Sequence, residues 1–179
     1  MAGQHDLRAG ADVRIKESHA MIHRGIKFTA WALDRSLDDD ATLVIAFQTP
    51  TDKQIHMRYS FAGAGSVDVE VIQSADWDIG TGQRFTVQAK DLDNGARSHI
   101  LGNASGANVA NEVVINPDNV TGTDIVDRVS TFTGNIDKNE KSYQELILDK
   151  DNEYAIRLTA NGGQNGGWLK LHWYELRAD

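Results

Sequence analysis

The stretch KQIHMRYSF, Lys53 to Phe61, places Ile55, Met57, Tyr59 and Phe61 on one side of an extended backbone and His56, Arg58 and Ser60 on the other. Apolar residues at every second position specify a strand that buries one face and wets the other. A helix would need them every third or fourth residue, and no segment of the chain keeps that spacing convincingly.

Outward from this strand the same period recurs at 26–33, at 42–48 with Leu43, Ile45 and Phe47, at 67–72, and at 84–89 with Phe85 and Val87. The second half adds 125–133, 143–148, 154–158 and 169–176. Between them lie GAGS at 63–66, DIGTGQ at 78–83, DKDNE at 149–153 and NGGQNGG at 161–167, each holding residues that accept positive φ or close Asx turns. Short strands with such turns predict an all-β, antiparallel β-sandwich, jelly-roll-like and of roughly 8–10 strands, rather than βαβ units.

The exception is 91–119, DLDNGARSHILGNASGANVANEVVINPDN. A loop of that length is unusual in a compact domain, so short strands are expected near 98–101 and 112–115. Residues 1–18 are polar and precede the patterned region, which predicts an extended N-terminal arm and then a single β-sandwich domain over 19–179.

Composition narrows the function. A chain of 179 residues can bury about 70% of its extended surface, enough for a core without staples. It contains no cysteine, which removes disulfides, thiolate ligands and a cysteine nucleophile. Net charge is −8 and the 18 Lys and Arg residues are scattered singly, so no nucleic-acid partner is expected. The absence of a long apolar window or a leader-like N-terminus predicts a soluble protein with no membrane partner.

His19 and His23 stand four apart, a spacing that puts two imidazoles on one helical face for a zinc ion. Ala20, Met21 and Ile22 between them supply no acid, and Gly25 followed by the alternation of Ile26, Phe28 and Ala30 points to a strand lead-in instead. Asp149, Asp151 and Glu153 look like the opening of a calcium loop, but Tyr154 stands where that loop needs glycine and no acid follows at its twelfth position. These acids, and Asp38 to Asp40, read as turns. No serine has a G-x-S-x-G frame, and no Gly-rich segment leads into Lys-Ser/Thr or a helix. No catalytic residue, cofactor or metal is therefore assigned.

ESHAMIHRGIKF at 17–28, with His23, Gly25 and Phe28, opens the patterned region, and LHWYELRAD at 171–179, with Trp173, Tyr174 and Glu175, closes it. IHMRYSF, VDVEVIQ and, at 148–161, LDKDNEYAIRLTAN lie between. In these features the chain resembles small virion proteins of tailed bacteriophages, of the jelly-roll capsid decoration (cement) type, over residues 17–176. It departs from them at KDLDNGARSHILG, where many relatives carry an Asn/Arg-rich turn.

The resemblance implies a structural, non-enzymatic protein of the capsid surface, made in the host cytoplasm. Its partners would be the major capsid protein and itself, as a homotrimer, and the resemblance brings no catalytic residues and no cofactor. Contacts are then expected from Arg14, Ile15, His19, His23 and Arg24, and from 91–108, including Asp91, Asp93, Arg97 and His99. The rival reading is a carbohydrate-binding β-sandwich of a phage adhesin or bacterial surface protein, with Trp77 and Trp168 as an exposed sugar platform. A tryptophan packed beneath a loop is the plainer account of Trp77.

Overall fold

In the computed structural model, residues 26–91, 95–103, 108–131, 145–162 and 165–177 are described. The arm expected over 1–18 lies outside them, as do Arg14, Ile15, His19, His23, Arg24 and Asp93. The described residues build two antiparallel sheets. The first runs β11 (Leu146–Leu148), β3 (Lys53–Gly63), β13 (Asn165–Arg177), β1 (Lys27–Leu37), β6 (Gln88–Ala89). The second runs β10 (Asp124–Thr131), β4 (Ser66–Gln73), β12 (Glu153–Asn161), β2 (Thr42–Gln48). Beyond β2 it continues into β7 (Leu101–Gly102) with β8 (Val109–Ala110), and into β9 (Glu112–Ile115) with β5 (Gln83–Thr86).

The C-terminal strands complete both sheets: β13 lies between β1 and β3, and β12 between β2 and β4. Their inward residues meet in one core. Phe28, Ile55, Met57, Tyr59, Leu171 and Trp173 of the first sheet face Leu43, Ile45, Phe47, Val69, Ile156 and Leu158 of the second. The polar end of Tyr59 is satisfied inside that core, because its hydroxyl donates to Asp127 Oδ2 at 2.8 Å.

Strand β2, TLVIAFQ, is apolar without alternation because it is covered on both sides. Val44 and Ala46, on its outer side, pack with Ile72, Ala75, Trp77 and Ala155 in a second apolar cluster. The covering segment is anchored by Asn116, whose Oδ1 accepts the Val44 N–H at 2.8 Å. Gly82, at φ +77°, makes the turn into β5, where an added Cβ would come within 2.8 Å of the Ile115 carbonyl oxygen.

Two expectations need correction. The segment 84–89 is not one strand: Gln83–Thr86 pairs with β9 in the second sheet and Gln88–Ala89 with β1 in the first. Val87, buried between them, donates its N–H to Asn111 instead, so the chain changes sheet there. Likewise 98–101 yields ladder pairing only from Leu101, since the Ser98 N–H goes to Asn111 Oδ1 and the His99 N–H to a buried carboxylate. These short pieces are why thirteen strands occur among the described residues where fewer were expected. The acidic turns are turns: Asp40 and Asp151 take left-handed φ values of 62° and 52°.

Candidate functional site

Strand alternation leaves Thr29, Trp31 and Leu33 of β1 on the outer face of the first sheet, directly across from His172, Lys170 and Trp168 of β13. Trp31 and Leu33 remain 44% and 57% exposed, and the ring of Phe85 supports Trp31 edge-on with centroids 4.8 Å apart. With Trp168, Lys90 and Lys170 they line an open groove of about 540 Å³. One end of this face is apolar and the other cationic.

His172 lies at the cationic end. Burial, and then the ammonium groups of Lys90, Lys170 and Lys27, hold its imidazole down to about 4. Its Nδ1 is buried without a hydrogen-bond partner among the described residues, and Arg58 of β3 is its register neighbour on the far side. Positive charge is thus gathered on one face of a chain whose net charge is −8.

This arrangement predicts a pH dependence with a definite sign. Above the ordinary histidine value of 6.5 the imidazole is neutral folded or unfolded. As pH falls from there towards 4, the unfolded chain takes up a proton that the folded chain refuses, so stability is lost across that window. Because the side chain is only partly buried, screening limits the loss to about 1–2 kcal/mol. His172→Gln is expected to reduce the loss of unfolding free energy between pH 7 and pH 4.5, read from urea titrations, by that amount; equal losses in the two proteins would contradict the assignment.

Beyond His172 the same face carries Tyr174 stacked on His56 at 4.8 Å, with Glu145 Oε1 2.9 Å from His56 Nδ1 and Oε2 3.2 Å from Arg58. Burial would raise the Glu145 carboxyl, but hydrogen bonds from Tyr174 and His56 and the Arg58 charge outweigh it and hold the group below the usual range.

Glu175 points inward and is buried. Its Oε1 accepts the Ser98 hydroxyl, the His99 N–H at 3.0 Å and the Trp173 indole N–H at 3.2 Å, while Oε2 lies 2.7 Å from His99 Nδ1. A serine, a histidine and a carboxylate therefore meet, yet not as an acyl-transfer triad. Serine and histidine both bind the carboxylate rather than each other, so the imidazole is not placed to take the hydroxyl proton. The cluster ties the extended segment 95–100 to β13.

Of the residues expected at an interface, Asp91 is half-buried, Arg97 is exposed, and the exposed His99 is held by Glu175. Trp77 and Trp168 lie on different sheets. Trp77 is only 8% exposed, packed on the outer side of the second sheet, whereas Trp168 lies in the groove of the first. Sequence reading missed Trp31 and Leu33. In FTAWAL both alternating sets are largely apolar, with Thr29 the one polar residue, and the smaller one, Phe28, Ala30 and Ala32, is the one that faces the core.

No protein family, curated protein or solved structure matches the chain.

Proposed function

We propose that the protein is a capsid decoration protein of a tailed bacteriophage, docking through the outer face of its first sheet onto the major capsid protein. The observation that carries this reading is the juxtaposition of Trp31, Leu33 and Trp168 with Lys27, Lys90 and Lys170 on one outward face. Exposed aromatic and aliphatic residues gathered with cations are the composition of a recognition surface. The occupant is a segment of the shell protein that offers an apolar side chain to the groove.

The subunit acts as a binder and not as an enzyme, and it decorates the virion surface as a homotrimer. Linking three such faces raises the effective concentration at the second and third sites, so modest single contacts hold a shell firmly. Binding that favours one form of the shell stabilises that form by mass action.

The test is co-sedimentation with shells assembled from the major capsid protein. The double variant Trp31→Ala, Leu33→Glu is expected to bind at least ~30-fold more weakly, the size of a hot-spot loss of about 2 kcal/mol. Neither side chain belongs to the buried core, so the fold should survive, which circular dichroism checks. Undiminished occupancy on the shells by a folded variant would refute the docking face.

A further inference from the structure

Resting on the proposed docking to the major capsid protein, we infer how the partner's backbone is held: as an added β-strand, hydrogen-bonded along the open edge of β1 at Trp31 and Leu33.

The direction of each peptide group in β1 follows from its neighbours. The Lys27 carbonyl accepts the Lys90 N–H on the β6 side, while the Ile26 carbonyl accepts the Glu175 N–H on the β13 side. Register with β13 is unbroken from Lys27 to Asp34, and successive residues of an antiparallel strand turn their peptide groups to opposite sides. Thr29, Trp31 and Leu33 therefore present both N–H and C=O to the side away from β13. Gln88 takes the place beside Thr29, but the chain changes sheet at Val87, and Thr86, which would come next, pairs with Glu112 of β9. Among the described residues no strand lies beside Trp31 and Leu33 on that side.

Unpaired edge groups invite another strand, and sheets usually blunt such edges with charge, shortness or a bulge. β10, the long edge of the second sheet, carries Asp127 and Arg128, and its register with β4 breaks between Ile125 and Asp127; β11 is three residues long. From Ala30 to Leu33, β1 has no such device: the run is Ala-Trp-Ala-Leu, and the side chains of Trp31 and Leu33 are exposed along the groove. Free main-chain groups and a side-chain groove on the same two residues are the two parts of a strand-addition site, the first giving affinity and the second selecting alternate side chains. The partner is thus an extended segment with an apolar side chain on the groove side. A second copy of β1 does not fit. An antiparallel mate that sets its Leu33 against Trp31 or against Leu33 lays its Arg35 or its Leu37 on Thr29, where Gln88 already lies.

The experiment is amide hydrogen exchange of the full chain, free and bound to shells assembled from the major capsid protein, read residue by residue by mass spectrometry with fragmentation. In the free protein the Trp31 and Leu33 amides are expected to exchange at least ~100-fold faster than those of Ala30 and Ala32, which face β13, and on shells to slow at least ~10-fold. Leu33→Pro removes an N–H that the β13 ladder does not use, a position where an edge strand tolerates proline. It is expected to bind shells at least ~10-fold more weakly than Leu33→Ala, which loses the same side chain. Circular dichroism checks the fold of both variants, and the exchange comparison depends on neither. The inference is overturned if Trp31 and Leu33 are already protected in the free protein, if they stay unprotected on shells, or if a folded Leu33→Pro binds like Leu33→Ala. Shell binding that Trp31→Ala, Leu33→Glu weakens, with those two amides still unprotected, removes the added strand and keeps the docking face; no binding by the parent protein removes both.

Discussion

Glu175→Ala is expected to lower the stability by about 3–5 kcal/mol, read as a fall in the urea midpoint with an unchanged slope. The carboxylate is buried and collects the Ser98 hydroxyl, the His99 N–H, the His99 imidazole and the Trp173 indole. Truncation leaves the Ser98 and Trp173 donors in the interior without an acceptor, and each such group costs about 1–3 kcal/mol. It also frees the extended segment 95–100, whose backbone has few ladder bonds of its own. Glu175→Gln keeps an acceptor in place and should lose less than half as much. A loss below about 1 kcal/mol for the alanine variant would mean that the segment is held by something else.

Trp173→Ala comes next in size, with an expected loss of about 3–5 kcal/mol from the cavity it opens. Its side chain is 1% exposed, its ring centroid lies 6.0 Å from that of Phe28, and its register partners are Phe28 on β1 and Met57 on β3. Trp173→Phe restores most of the volume but not the N–H bond to Glu175, so the difference between the two variants separates packing from polarity. Because Trp173 and Glu175 share that bond, the double variant with alanine at both positions should lose less than the sum of the singles. Strict additivity would show that the indole and the carboxylate do not act together.

Both predictions rest on β13, a strand legible from LKLHWYEL alone, with Leu169, Leu171 and Trp173 alternating against Lys170, His172 and Tyr174. What could not be read there was the destination of Glu175, which continues the inward set although it is charged. An acid at an apolar position is tolerated only if donors converge on it, and three of the four come from Ser98 and His99, more than seventy residues away in sequence. In the same way the alternation in β1 was plain, but not which of its two apolar faces was buried.

Local periodicity and turn chemistry by themselves determined that this protein is an antiparallel β-sandwich without helices in its described residues, because side-chain direction in a strand reverses at every residue and Asn, Asp and Gly readily accept the turns. Neighbouring residues impose those features, so they are written in consecutive letters. The tertiary structure alone decided that Trp31 and Leu33 face outward beside Trp168 and that Lys27, Lys90 and Lys170 converge on His172. These arrangements depend on which strand lies beside which, and with β13 inserted between β1 and β3 that pairing is a property of the whole chain.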